Sequence, residues 1–142
     1  MASFVKYYCF VEHLAEKVHN LGSDQLRIAL TNTAPTLTHT LLSEITEISD
    51  GGGYTSGTSG AVTVIGSSQT TGVYSLTQSA DVVFTASGGT IGPFRYAVLY
   101  NDTPTSPLNP LIGYWDYTSN ITLQDTETFT VNMGANILQI DA

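Results

Sequence analysis

The spacing of apolar positions changes once along the chain. From residue 4 to residue 21 it is helical: Phe4, Val11 and Val18 stand seven apart, as do Tyr7, Leu14 and Leu21. All six fall on one stripe of an α-helix. Ser3 is placed to cap the start of that helix and Gly22 to end it, which predicts an N-terminal amphipathic helix over residues 1–22. Such a stripe either lies on the sheet of its own domain or brings copies of the chain together around a symmetry axis. With fewer than three heptads, the second use needs added β contacts.

After "GSD" at 22–24 the period becomes two. In "QLRIALTN" at 25–32, Leu26, Ile28 and Leu30 face one way while Arg27, Ala29 and Thr31 face the other, the pattern of a half-buried strand. Residues 35–49, "PTLTHTLLSEITEIS", allow a short helical turn through Leu41, Leu42, Ile45 and Ile48. Their threonines and the following "DGGG" fit an ordered loop or edge element equally well. "DGGGYTSGTSG" at 50–60 predicts a long flexible hairpin or surface loop. Beyond it, strand candidates recur at 61–65, 72–77, 81–86, 94–101, 111–117, 128–133 and 137–140, with turn residues between them. Short strands divided by turns predict an antiparallel β-sandwich or barrel-like domain over 23–142, with the helix covering an open end or one face. The expected fold is mainly β (α+β), in one domain.

Composition narrows the function classes. A chain of 142 residues suits one domain, and its single cysteine, Cys9, leaves no intrachain disulfide and no CxxC motif. Residues 1–27 balance in charge. From residue 28 onward one arginine stands against nine Asp and Glu, which supplies the whole net charge of −8. So few cations argue against nucleic acid and against acidic membranes as direct partners. No apolar run approaches the ~20 residues of a membrane span, and the N-terminus lacks the succession of a signal peptide, so a soluble protein made in the cytoplasm is expected. With 21 threonines, 13 serines and 13 glycines, weakly charged polar faces on a β-rich fold are expected.

Candidate chemistry is sparse. On one helix His13 and His19 would lie about 120° from a common face, which does not make a ligand pair; His39 sits among threonines. The carboxylate pairs Glu44 and Glu47, Asp102 and Asp116, and Asp125 and Glu127 carry no glycosidase or calcium-loop motif. The glycine-rich segment lacks the strand, helix and lysine of a phosphate cradle. No catalytic residue, cofactor or metal is expected. Tyr96, Tyr100, Tyr114, Trp115 and Tyr117 offer a platform for sugars or a partner. Strand alternation puts Tyr96 and Tyr100 on one side, sets Trp115 opposite Tyr114 and places Tyr117 with Trp115, so half of them belong in the core.

The segments "LAEKVHNLGSDQLRIALTNTAP", "SEITEISDGGGYT", "DVVFTASGGTIGPFRYAVLYNDTP" and "PLIGYWDYTSNITLQDTETFTVN" resemble small structural proteins of tailed bacteriophages and prophages. The likeness runs from about residue 12 to 133, and the "GPFRYAVLYNDTP…PLIGYWDY" pair is its most specific part. The resemblance implies a virion component of the capsid decoration, or cement, type: a homotrimer on the outer surface of the phage head, with the major capsid protein as partner and no catalytic residues. The alternative is a tail or fibre component that binds a host-surface glycan through its tyrosines.

Arg95 is the only cation after Arg27. On a regular strand it shares a face with Ala97, Leu99 and Asn101, while Phe94, Tyr96, Val98 and Tyr100 take the other. No cluster of donors surrounds it for phosphate. Its expected partner is a carboxylate on a neighbouring strand or subunit, Asp116 first and Asp102 second. The candidate subunit or partner interface is therefore Phe4, Tyr7, Val11, Leu14, Arg95 and Asp116.

Overall fold

A computed structural model describes residues 2–142. In chain order its elements are β1 (Phe4–Lys6), α1 (Cys9–Ala15), β2 (Leu26–Thr31), a 3-10 turn (Leu42–Glu44), β3 (Ala61–Val62), β4 (Val64–Thr70), β5 (Val73–Gln78), β6 (Val82–Thr85), β7 (Ile91–Asn101), β8 (Leu111–Leu123), β9 (Thr128–Val131) and β10 (Leu138–Asp141). The chain is mainly β, 48% strand and 7% helical, with antiparallel sheets. One sheet has the order β1-β8-β7-β2-β3, a second β10-β5-β4, and β6 pairs with β9 in a third.

All three sheets contribute to one core. Leu26, Ile28, Leu30, Ala97, Leu99, Ile112 and Trp115 come from the five-stranded sheet, Leu76 and Leu138 from the three-stranded one, and Val82, Phe84 and Val131 from the pair. The other face of the five-stranded sheet is also covered where β2 and β7 lie. Ala29, Val98, Tyr100 and Leu111 pack there against Tyr7, Leu42 and Ile45. The expected half-buried strand at 26–31 is therefore buried on both faces, because residues 37–48 lie across it. A strand covered on both sides reads as a nearly continuous apolar run, and β7 from Tyr96 to Tyr100 does so.

The predicted helix over 1–22 is replaced by a strand, a seven-residue helix and a turn. Phe4–Lys6 pairs with Gly113–Trp115 of β8. Gly113 makes this possible, since a Cβ there would stand 2.7 Å from the Val5 carbonyl oxygen and run into the Phe4 ring. The aromatic and β-branched run Phe4–Val5 gains ladder bonds and a ring contact with Trp115 at 4.7 Å between centroids. Ser3 lies outside the helix, whose N-cap is Tyr8 with no side-chain capping bond. The helix ends well before Gly22: Lys17 adopts the left-handed conformation at φ 66° just beyond the C-cap Glu16, where a helix closes.

The segment at 50–60 is pinned rather than flexible. Tyr54, 2% exposed, is its anchor: its hydroxyl accepts the Leu30 amide at 3.0 Å and donates to Glu47 Oε1 at 2.7 Å. Gly60, at φ 78°, brings its carbonyl to the Ile28 amide at 2.8 Å. The segment 35–49 contains both the short helical turn and a bridge from Leu41 to Pro110. Tyr54→Phe leaves the buried Leu30 amide without an acceptor, an expected loss of about 1–3 kcal/mol that a lowered urea midpoint at unchanged slope would register.

Candidate functional site

Arg95 sits at a break in the β7–β8 ladder. Phe94 pairs with Ile121, yet Tyr96 pairs with Asp116, so residues 117–120 of β8 form a bulge outside the ladder register, with Thr118 at φ 67°. Phe94 and Ala97 both face the main core, which leaves Arg95 and the buried Tyr96 together on the other face of the sheet. The expected alternation, with Arg95 on the face of Ala97 and Leu99, is thus corrected by the bulge. Arg95 lies over the Tyr96 ring, 5.2 Å from its centroid. Its Nε donates to Asp116 Oδ1 at 2.8 Å and its Nη2 to Oδ2 at 3.0 Å, a bidentate fork within the chain. The same carboxylate accepts the Thr118 amide at 2.8 Å. Arg95 and the Thr118 amide together hold the Asp116 carboxyl below its usual range. Both side chains of the pair remain more than a third exposed, so it fixes the geometry of the bulge more than it adds stability.

Asp102, the second candidate for Arg95, instead pairs with Arg27 at 2.7 Å. Arg27 also donates to the Thr58 carbonyl, which ties β2 to the glycine-rich segment. Of the N-terminal stripe, Tyr7 and Leu21 are buried in the protein's own cores. Phe4 and Leu14 are half-buried against the main core, and Val11 is 68% exposed. The inward side chain of α1 is Phe10, at 1%. The six interface candidates thus differ in exposure, from Tyr7 at 2% to Val11 at 68%. Tyr8, 65% exposed, is the outward-facing ring missed when the segment is read as one long helix.

A second polar constellation was hidden by the same reading. Because the chain turns after Ala15, the His13 and His19 rings meet edge to face at 5.9 Å, although a continuous helix would separate them. Asn101, fully buried at the end of β7, organises the group. Its Oδ1 accepts the Thr103 amide at 3.1 Å, leaving its Nδ2 to donate to Asp24 Oδ2 at 2.7 Å and to His19 Nδ1 at 3.0 Å. An amide nitrogen only donates, so His19 carries its proton on Nε2. His19 is 5% exposed. Burial, aided by His13 and opposed by Asp24, lowers its pKa to about 4. Sequence alone offered only "HNLGSD" followed at a distance by "YND" as a signal for this network.

Among the described residues no group of three or more His, Cys, Asp or Glu side chains could hold a metal ion. The aromatic candidates do not form an open platform. Trp115 is 2% exposed, Tyr100 1% and Tyr96 8%, while Tyr117 packs edge-on against Phe129 at 4.9 Å. Tyr114 and Trp115 do take opposite faces, and Tyr117 goes with Trp115, as alternation predicts. No protein-family model, curated protein or solved structure matches this chain.

The histidine network makes stability depend on pH. The folded His19 pKa lies near 4, below the unfolded value of about 6.5, so the unfolded chain takes up the proton first. The stability is fully present above pH 6.5 and is lost as pH falls toward 4, by up to about 3 kcal/mol. Urea midpoints measured across that interval should fall for the wild type, and the slope should flatten in His19→Gln. An unchanged slope in the variant would assign the effect to other groups.

Proposed function

We propose that this chain is a non-enzymatic virion structural protein, a capsid decoration protein that binds the outer surface of a phage head as a homotrimer beside the major capsid protein. The likeness of "GPFRYAVLYNDTP…PLIGYWDY" to small phage structural proteins supplies the class. The physical observation that carries the reading is the exposure of Val5, Tyr8 and Val11, at 37%, 65% and 68%, along the N-terminal segment. Val5 belongs to β1, the edge strand of the five-stranded sheet, and Tyr8 and Val11 follow it. Exposed apolar side chains next to an unpaired strand edge are what an assembling protein offers a neighbour. We read the five-stranded sheet packed against the two smaller ones as a sandwich, a shell suited to a cement that must persist without chemistry. The glycan-binding alternative loses force, since three of its five candidate rings are buried and the other two are half-buried against the cores.

Two measurements test the reading. Mass spectrometry of purified particles with copy counting should find the protein in proportion to the major capsid protein, one trimer for each threefold position; a handful of copies per particle would overturn the decoration role. In light scattering, Val11→Glu should convert the trimer to monomers without unfolding them, because Val11 touches neither core. A persistent trimer would remove α1 from the interface.

A further inference from the structure

A cleft lies between the end of α1 and the three-stranded sheet, with His19 of the buried network in its lining. It encloses about 660 Å³, within the range of about 300–1,000 Å³ that small-molecule sites occupy. Its walls are apolar: Leu14 and Leu21 on one side, and Tyr74 and Ile140, cross-strand partners on β5 and β10, on the other. Polar groups converge at the same place. Tyr74 and Ser67 hold each other by their hydroxyls at 2.8 Å, His19 forms part of the lining, and Lys17 stands at the rim.

The charge around the cleft is unlike that of the rest of the protein. The protein carries 12 carboxylates and only four Lys and Arg, yet no Asp or Glu lines this cleft and Lys17 does. The other three cations are engaged: Arg27 with Asp102, Arg95 with Asp116, and Lys6 with the Gln139 carbonyl. Among the described residues Lys17 makes no ion pair or side-chain hydrogen bond. It also occupies a left-handed position where Gly or Asn is the usual residue. His19 Nε2, which carries the ring hydrogen because Nδ1 accepts from Asn101, is buried without a hydrogen-bond partner behind this lining.

We propose that this cleft binds a small amphipathic carboxylate, an alkyl chain ending in a carboxylate group. The chain lies on Leu14, Leu21, Tyr74 and Ile140, and the carboxylate meets the Lys17 ammonium. A neutral apolar ligand would leave the cation unused, and a cationic one would be repelled by it. This site is independent of the assembly role and does not require it.

Decanoate is the probe. Titrated into the full-length protein below its micelle concentration, it should shift the amide and side-chain NMR signals of Leu14, Lys17, His19, Tyr74 and Ile140 in a saturable way. Decyltrimethylammonium, with the same chain and opposite charge, should not. Lys17→Gln should weaken decanoate binding by about three- to fivefold, the worth of an exposed ion pair, with the rest of the spectrum unchanged. Equal shifts from both detergents, or shifts outside the cleft, would overturn the proposal, as would an unaltered affinity in Lys17→Gln. Should that variant fail to fold, the comparison of the two detergents on the wild type still decides. Shifts at these residues on raising the protein concentration alone would assign the cleft to a second copy of the chain instead.

Discussion

Burial of β7 on both faces is the constraint on which the rest of the structure depends. A strand in that position must satisfy its backbone through its neighbours β2 and β8, and its side chains must find apolar cover on each side. The inner cover comes from two small sheets. The outer cover comes from residues 37–48, which have almost no repeating structure and so must be held by side chains. Glu44 Oε1 accepts the Thr40 and Leu41 amides and the Thr40 hydroxyl at 2.7, 2.9 and 2.8 Å, which holds the Glu44 carboxyl below its usual range. Thr31 donates to the Thr46 carbonyl at 2.5 Å, and Glu47 is tied to Tyr54. A segment rich in threonine and glutamate can thus serve as a lid for an apolar face, because its polar groups close on its own backbone.

The scarcity of cations gives each one a place in this scheme. Arg27 and Arg95 take single carboxylates at two points where ladder geometry fails: the end of β7 beside the glycine-rich segment, and the bulge of β8. Lys6 crosses from β1 to the Gln139 carbonyl at 2.9 Å, bridging the five-stranded and three-stranded sheets. None of these contacts adds much stability by itself. Each selects one arrangement where the backbone alone would allow several, which is the better-supported use of isolated charge pairs in a low-charge fold.

How much was legible in the sequence follows from which forces are local. Period-two alternation located β2, and short strand-forming runs between turn residues located β5, β6, β7, β9 and β10 within a few residues, because turn chemistry and strand propensity are local. The Arg95–Asp116 pair was legible too, since few carboxylates lie on strands next to "FRYAVLY". The N-terminal helix was misread because heptad spacing of Phe4, Tyr7, Val11 and Leu14 is a necessary mark of a helix, not a sufficient one. The decision fell to a non-local event, the approach of Phe4 and Val5 to the bare backbone of Gly113. The same event broke the helical geometry that had separated His13 from His19. The Arg95 bulge and the second buried face of β2 were hidden for a related reason: each is imposed by another segment, residues 117–120 in one case and 37–48 in the other.

The ionisable groups with the largest shifts share one cause. Burial comes first for the hydroxyls of Tyr7, Tyr54 and Tyr100, which it pushes up, and for His19, which it pushes down. All four are driven toward the neutral form inside packed surroundings. Keeping these groups neutral spares the packed interior the cost of an unpaired charge. The surface in contrast is α1, seven residues long and far too short to be helical on its own. It is held by Phe10 and the flanking Tyr7, and its outward residues Tyr8 and Val11 gain nothing from the protein's own cores. A helix that depends on tertiary packing for its existence thus presents exposed apolar side chains outward.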